Sequence, residues 1–235
     1  LTPGFVHTPA NDLAALEQVV AENKVAGILF ECVQGEGGVL NLTDAFVQGM
    51  AALCAEQDIL LMVDEVQTGN GRTGKLYAFQ HYGITPDVVT TAKGLGGGLP
   101  IGACMMGAKC ADVLGYGDHG STYGGNPVCC AGALSVIERL DDNFLSAVRR
   151  KSGYVFATLV GAPGIEGVSG LGLMVGIKTV ASAASVVKFC MEKGVLCLTA
   201  KDKIRLLPAL NIPMDDLEYA IETIKAVAAE LGGKA

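Results

Sequence analysis

The sequence predicts an α/β fold in which a mixed sheet is covered by helices and is followed by a second, smaller α/β unit. From Ala26 onward, short apolar runs typical of buried strands alternate with segments of amphipathic helical periodicity. A polar break at 141–143 interrupts this pattern, and the same alternation then resumes on a smaller scale. We therefore predict one domain over residues 1–140 and a second over residues 141–235.

The first domain is expected to contain strands at 26–33, 59–63, 87–91 and 101–107. The second of these runs is apolar throughout, as expected for a strand of a parallel sheet that is buried on both faces. Thr43 and Asn126 are predicted N-caps, because their side chains can accept hydrogen bonds from the free N–H groups of a first helical turn. The helices that follow them should run to about residues 57 and 140, and Pro127 suits the first helical position.

The second domain should begin with a helix that reaches about residue 160 and ends before the Gly-Ala-Pro-Gly turn at 161–164. The hydrophobic pattern then predicts a strand at 168–179, a helix at 182–193, strands at 195–199 and 204–207, and a final helix at 214–231. In such alternating folds, ligands bind at the carboxyl ends of the strands.

Composition excludes several classes of function. The net charge of −7 argues against non-specific nucleic-acid binding, and no apolar run reaches the roughly 18 residues of a membrane span. The eight cysteines include no C-x-x-C pair, so we expect reduced, mostly buried thiols and a cytoplasmic location. The three histidines are far apart and no H-E-x-x-H occurs, so no metal site is expected.

Two charged residues follow neighbouring predicted strands. Asp64 ends one apolar run, and Lys93 ends the next against a glycine-rich turn. Pyridoxal phosphate would use both groups, because its ring nitrogen pairs with an aspartate and its aldehyde condenses with a lysine. A structural Asp64–Lys93 ion pair is about as consistent with these residues alone. A nucleotide loop is disfavoured, because G-x-x-x-x-G-K-[ST] is absent and the glycines lead into an apolar run rather than a helix.

The segment DEVQTGNGRTGKLYAFQHYGITPDVVTTAKGLGGGLPIGA at 64–103 strongly resembles the class III aminotransferases, which are pyridoxal-phosphate enzymes of fold type I. Four further segments resemble the same family in the same order: ECVQGEGGV at 31–39, HGSTYGGNP at 119–127, GLGLMVGI at 170–177 and IRLLPALNI at 204–212. The resemblance covers essentially the whole chain. It implies the carboxyl-terminal part of the large mixed-sheet domain and a small α/β domain.

The resemblance also implies roles for the cofactor residues. Lys93 and Asp64 would be the catalytic residues, with Lys93 carrying the cofactor as a Schiff base and Asp64 holding the ring nitrogen. Val66 would pack on one ring face, and Gln67 would hydrogen-bond the ring hydroxyl. Lys93 would also move the proton between substrate and cofactor carbons.

Other matching positions would bind substrate or the partner subunit. Ser121 and Thr122 would reach the phosphate of the neighbouring subunit's cofactor, which implies a homodimer. Arg205 would bind the substrate α-carboxylate with a bidentate geometry that lysine cannot reproduce. Glu36 resembles the gate that pairs with this arginine, whereas Glu31 is expected to be structural.

The sequence departs from the family pattern at two positions. Cys32 stands where many members have proline, and this position is not expected to touch substrate. Ser169 stands where many relatives have arginine, so we expect a contact of that arginine in the small domain to be missing. We also expect the chain to be a portion of a longer protein, because it starts without methionine and lacks the phosphate-binding turn of the family.

The resemblance implies a reaction that moves the terminal amino group of N-acetylornithine to 2-oxoglutarate, in arginine biosynthesis. Other donors within the fold stay open, namely ornithine, succinylornithine and 4-aminobutyrate. A glutamate-1-semialdehyde aminomutase is an isomerase alternative, and an inactive fragment of such an enzyme is a further alternative.

Overall fold

The computed structural model describes residues 2–233, and within this part of the chain the architecture is mixed α/β. The helices and strands, numbered in chain order, are α1 (Leu13–Glu22), β1 (Gly27–Phe30), β2 (Val33–Gln34), β3 (Leu40–Asn41), α2 (Asp44–Glu56), β4 (Leu60–Asp64), β5 (Val88–Thr91), β6 (Ala103–Met106), α3 (Pro127–Ile137), α4 (Asp142–Leu159), β7 (Ile165–Leu171), β8 (Met174–Thr179), α5 (Ala183–Glu192), β9 (Leu198–Ala200), β10 (Lys203–Leu206) and α6 (Met214–Gly232). The predicted α/β class is confirmed.

The first sheet has the strand order β1-β4-β5-β6. Strands β1, β4 and β5 are parallel, whereas β6 runs antiparallel to β5. Asp64 pairs with Thr90, so the last residue of β4 lies beside the end of β5. Because neighbouring parallel strands end at the same edge, this register brings the segments after β4 and β5 together.

Helix α2 packs on this sheet and forms one hydrophobic core. Thr43 caps it as predicted, with its hydroxyl accepting from Phe46 N at 3.3 Å. The buried faces of helix and sheet meet in a cluster that includes Phe46, Val47, Leu61 and Val63. Burying each such side chain stabilises the fold by roughly 1.5–3 kcal/mol relative to exposure.

The second sheet has the order β7-β8-β10-β9 and is antiparallel throughout. Helices α4, α5 and α6 cover one of its faces, and the shared core includes Val155, Ile177, Val186, Ile204 and Ile221. The alternating burial of β10 directs Ile204 into this core. Since successive side chains of a strand point to opposite faces, Arg205 is directed away from it.

The strand predicted at 168–179 was wrong, because the structure forms a hairpin of β7 and β8 there. Two glycines allow the reversal. Gly170 has a φ of +118° and Gly172 has a φ of +61°, both in the region that side chains rarely adopt. Leu171 before the turn is partly buried and Met174 after it is fully buried, so hydrophobicity alone could not reveal the break.

Two other segments differ from the prediction. Val33 belongs to the short antiparallel pair β2–β3 rather than to the strand expected at 26–33. Helix α1 lies before the first predicted element, and Asp12 caps it by accepting from Ala15 N at 3.0 Å. Over residues 2–233, we find no helix whose length and apolar character would let it cross a membrane.

Candidate active site

Asp64 lies at the carboxyl end of the parallel strands of the first sheet, where it is the last residue of β4 and is half-buried. Its Oδ1 accepts a hydrogen bond from Val66 N at 2.8 Å. This bond turns the chain sharply at the end of the strand and fixes the orientation of the carboxylate. The apolar strand therefore delivers one oriented carboxylate to the sheet edge.

Glu65, the next residue, is fully buried, and sequence reasoning gave it no role. Its carboxylate accepts from the Thr68 hydroxyl at 2.6 Å and from Phe79 N at 2.8 Å. Burial raises its pKa, and these hydrogen bonds partly oppose that shift. The alternation of a strand was the available signal, because it places Asp64 and Glu65 on opposite faces. Glu65 ties the loop after β4 to the 3₁₀ helix at Ala78–His81.

Lys93 follows β5 and begins a 3₁₀ helix, Lys93–Gly96. Its backbone has a φ of +48°, which is unusual for a residue with a side chain, and the residue is exposed. Asn70, in the loop after Asp64, donates from its side-chain amide to Thr91 Oγ1 at 2.9 Å and to Ala92 O at 3.1 Å. The loop after β4 is thus hydrogen-bonded to the turn after β5 that carries Lys93.

Glu36 and Arg205 form an ion pair in which Arg205 Nη1 donates to Glu36 Oε1 at 2.5 Å. The guanidinium side chain is only 10% exposed and the carboxylate is 76% exposed, so the carboxylate is the partner that solvent can reach. The hydrogen bond from Arg205 is the main cause of the lowered pKa of Glu36. Arg205 Nε is buried and has no hydrogen-bond partner among residues 2–233, so the guanidinium keeps donor capacity for another anion.

Electrostatic contacts bring the other predicted residues to this pair. The side chain of Gln67 and the charge of Lys93 each add a smaller lowering of the pKa of Glu36. Glu31 has its pKa raised, mainly by burial and further by Asp64, while Lys93 opposes the shift. These couplings indicate that Asp64, Gln67 and Lys93 lie near the ion pair, and Gln67 packs against Gly35, where a built Cβ would lie 2.4 Å from Gln67 Oε1.

Glu36 is carried by the β2–β3 hairpin, which is fastened to the second sheet. Asn41 Nδ2 donates to Gly170 O at 2.8 Å, and Gly170 N donates to Asn41 Oδ1 at 2.7 Å. Ser169 Oγ donates to Val39 O at 2.7 Å and accepts from Lys203 Nζ at 2.8 Å. Ser169 thus links the hairpin to β10.

Ser121 and Thr122 lie apart from this cluster. Both are exposed in the turn that precedes α3, where Gly124 N donates to Ser121 O at 3.3 Å. Within the part of the chain that the structure describes, no hydrogen bond joins either residue to Asp64 or Lys93. The same described part holds no group of three or more His, Cys, Asp or Glu side chains that could bind a metal ion.

The clustered residues fit pyridoxal phosphate. An oriented carboxylate and an exposed primary amine follow adjacent strands, which suits a ligand with a protonated ring nitrogen and an aldehyde. Open space beside the lysine supports the fit, because a Cβ built on Gly94 would meet no atom closer than 3.8 Å.

The profile of the family described as aminotransferase class-III matches residues 6–228, which is nearly the whole chain. The chain belongs to the class III aminotransferases. Members of this family depend on pyridoxal phosphate. The family predicted from the sequence motifs is therefore confirmed.

Two curated relatives are named acetylornithine aminotransferase. The chain is 47% identical to the acetylornithine aminotransferase of Haemophilus ducreyi over 98% of its own length, and 41% identical to that of Oceanobacillus iheyensis over 99%. It spans 59% and 60% of the length of these two curated relatives.

Solved aminotransferase structures have a similar fold. The N-acetylornithine aminotransferase of Stenotrophomonas maltophilia superposes with a TM-score of 0.88 at 32% identity. The ornithine δ-aminotransferase of Plasmodium falciparum gives a TM-score of 0.90, also at 32% identity. These alignments cover 99% and 100% of the chain, and 64% of each solved chain.

Proposed function

We propose that the full-length protein transfers the terminal amino group of N-acetylornithine to 2-oxoglutarate, using pyridoxal phosphate. One observation carries the proposal. The Glu36–Arg205 ion pair lies in the same cluster as Asp64 and Lys93, so a carboxylate-binding group adjoins the residues that suit the cofactor. The acetylornithine aminotransferases that resemble the chain support this choice of donor.

Four residues would hold the cofactor. Asp64 would pair with its ring nitrogen, Val66 would pack on the ring, Gln67 would bind the ring hydroxyl, and Lys93 would join the aldehyde carbon. When bound, the cofactor supplies the electron sink that allows a proton to leave the substrate carbon. The Lys93 amine would take up that proton and deliver it to the cofactor carbon. The strained turn after β5 keeps its side chain exposed at the carboxyl end of the sheet.

The Glu36–Arg205 pair would let one site accept two different substrates. N-acetylornithine reacts at the amine far from its carboxylate, so Arg205 can stay paired with Glu36 during that half-reaction. 2-Oxoglutarate reacts beside its α-carboxylate, which needs a bidentate cation close to the reacting carbon. The α-carboxylate of 2-oxoglutarate would then replace the exposed Glu36 on Arg205, whereas the largely buried Arg205 would stay fixed.

We also propose a homodimer in which Ser121 and Thr122 bind the phosphate of the partner's cofactor. Both residues are exposed, and among residues 2–233 no hydrogen bond joins either of them to Asp64 or Lys93, which supports this assignment. Two separate hydrophobic cores support a division into domains at residue 140. Eight free thiols support a cytoplasmic location.

Ornithine is the second candidate donor, because the ornithine δ-aminotransferase structure of Plasmodium falciparum matches the chain with a TM-score of 0.90. The test is a donor panel on the full-length enzyme with 2-oxoglutarate as acceptor and glutamate formation as readout. N-acetylornithine should give the highest kcat/KM among N-acetylornithine, ornithine, succinylornithine and 4-aminobutyrate. A higher kcat/KM for any other donor would contradict the proposal and identify that donor as the substrate. Glutamate formation from none of them would favour the aminomutase.

Lys93 can be tested separately by borohydride reduction of cofactor-loaded full-length protein. The reduction should fix a phosphopyridoxyl group on the peptide that contains Lys93. Lys75, which donates to Gln80 O at 2.8 Å, and Lys109, which pairs with Asp58, serve as internal controls. A label on either control lysine would contradict the assignment.

A further inference from the structure

Arg72 links the loop that follows Asp64 to two separate parts of the small α/β unit. Its Nη1 donates to Leu173 O at 3.1 Å and to Pro208 O at 2.6 Å. Its own carbonyl oxygen accepts from Leu173 N at 2.9 Å. One residue therefore contacts both the turn between β7 and β8 and the segment that follows β10.

The environment of this guanidinium is costly for a charged group. Both side-chain acceptors are neutral carbonyl oxygens, and burial lowers the pKa of Arg72 to about 10, so it stays protonated at neutral pH. Withdrawing a cation from water is unfavourable unless its hydrogen bonds are well formed. The burial of the Arg72 guanidinium therefore indicates that it serves to hold the Leu173 and Pro208 carbonyls in place.

The close packing around Arg72 leaves little freedom of movement. A Cβ built on Gly172 would lie 2.4 Å from the Arg72 carbonyl oxygen and 2.4 Å from Thr73 Cα. Real Cβ atoms do not approach backbone this closely, so only glycine permits the contact. The β7–β8 turn and the loop after Asp64 are thus fitted against each other.

These contacts join the two halves of the proposed site by a short path. Gln67 precedes Arg72 in the same loop, and Pro208 follows Arg205 by three residues. The hydrogen bond from Arg72 to Pro208 O therefore ties the strand end that carries Arg205 to the loop that carries Gln67.

We propose that Arg72 is a positioning residue that fixes the carboxylate-binding Arg205 relative to the loop that holds the cofactor. The inference rests on the proposed function, since it takes Arg205 as the binder of a substrate carboxylate. Arg72 touches neither substrate nor cofactor in this assignment. It acts by setting where the Arg205 guanidinium stands, and lysine would be a poor substitute because it lacks the planar fork.

The test uses full-length holoenzyme and glutarate, an unreactive dicarboxylate with the carbon chain of 2-oxoglutarate. The dissociation constant of glutarate is measured by calorimetry for Arg72→Met, Arg72→Lys, Arg205→Lys and the control Arg150→Met. Arg150 is exposed and bonds Ser146 within its own helix, so the control removes a charge without removing the link. Visible absorbance reports the bound cofactor in each variant.

Arg72→Met should weaken glutarate binding on the order of tenfold, and Arg72→Lys by a smaller factor, while cofactor occupancy stays normal. The KM for 2-oxoglutarate should rise more than the KM for N-acetylornithine. Arg150→Met should match the wild type. If Arg72→Met fails to fold, the Arg72→Lys protein carries the same comparison.

If Arg205→Lys weakens glutarate binding as expected, two results would contradict the role of Arg72 without contradicting the proposed function. One is unchanged glutarate binding in both Arg72 variants, which would make Arg72 merely structural. The other is cofactor loss that parallels the loss of glutarate, which would place its effect on the cofactor loop. Unchanged binding in Arg205→Lys would instead remove the carboxylate site from the proposed function, and the inference with it.

Discussion

The side-chain amide of Asn70 donates a hydrogen bond to the hydroxyl of Thr91 at 2.9 Å. This bond joins the loop after Asp64 to the turn before Lys93, and a second bond to Ala92 O at 3.1 Å reinforces it. The separation between the carboxylate and the amine is therefore set by a side-chain contact as well as by the register of β4 and β5.

Asn70→Ala should lower the free energy of unfolding of the full-length protein by about 2–4 kcal/mol. The change leaves the Thr91 hydroxyl and the Ala92 carbonyl without their donor, and it places alanine at a φ of +54°. Urea denaturation measures the effect. Asn211→Ala, at an exposed position, is the control and should stay within about 0.5 kcal/mol of wild type. Equal stability of the two variants would show that the Asn70 bonds contribute nothing.

Asp64→Asn should retain part of the cofactor but lower kcat at least about 100-fold, because the neutral amide no longer stabilises a protonated ring nitrogen. Single-turnover rates and the visible spectrum of the full-length enzyme separate the two effects. Asp58→Asn removes a carboxylate that is 93% exposed and should leave the rate unchanged. A near-normal rate in Asp64→Asn would make that carboxylate structural.

Glu65→Gln should change how stability depends on pH. Burial raises the folded pKa of Glu65 above its usual value of 4.5, so the folded protein binds its proton more tightly than the unfolded chain does. Wild-type stability from this group is therefore greatest at low pH and falls as the pH rises from about 4.5 through the raised pKa. Glutamine does not titrate.

The difference in unfolding free energy between Glu65→Gln and wild type should accordingly move in favour of the variant as the pH rises through that window, and then level off. Urea denaturation at a series of pH values measures it. The Asp58→Asn protein provides a baseline for an exposed carboxylate. A difference that is constant with pH would mean that the pKa of Glu65 is the same in both states.

Gly170→Ala should destabilise the protein by about 3 kcal/mol or more. A Cβ at this position would lie 1.9 Å from Met174 O, and the backbone has a φ of +118°. Gly167→Ala is the matched control in the same strand, because a Cβ there would meet no atom within 4 Å. Thermal unfolding should separate the two variants clearly. Similar melting temperatures would show that the hairpin adjusts to the methyl group.

The sequence predicted those parts of the fold that depend on local chemistry. Thr43 and Asn126 cap helices as expected, because capping needs only a short polar side chain beside the first turn. The hairpin of β7 and β8 was missed because apolar residues stand on both sides of the turn, so the hydrophobic pattern shows no interruption there. Its reversal depends on the backbone conformations of Gly170 and Gly172, which composition does not reveal.

The candidate site shows the same division. Asp64, Lys93, Glu36 and Arg205 could be selected from motifs, and the structure brings them together. The residues that support them could not be selected, because Asn70 and Arg72 act through partners that are distant in sequence. The roles assigned to all of these residues stay predictions until the variants are measured.

The paired hydrogen bonds between Asn41 and Gly170 have a consequence for the order of folding during synthesis. These two residues are 129 positions apart in the chain. At a translation rate of about 5–20 residues per second, Gly170 is made roughly 6 to 26 s after Asn41. The hairpin that carries Glu36 therefore cannot form its hydrogen bonds to Gly170 until well after the strands of the first sheet have been made. Contacts of such long separation also slow folding, so we expect the hairpin that carries Glu36 to be among the last features of the molecule to form.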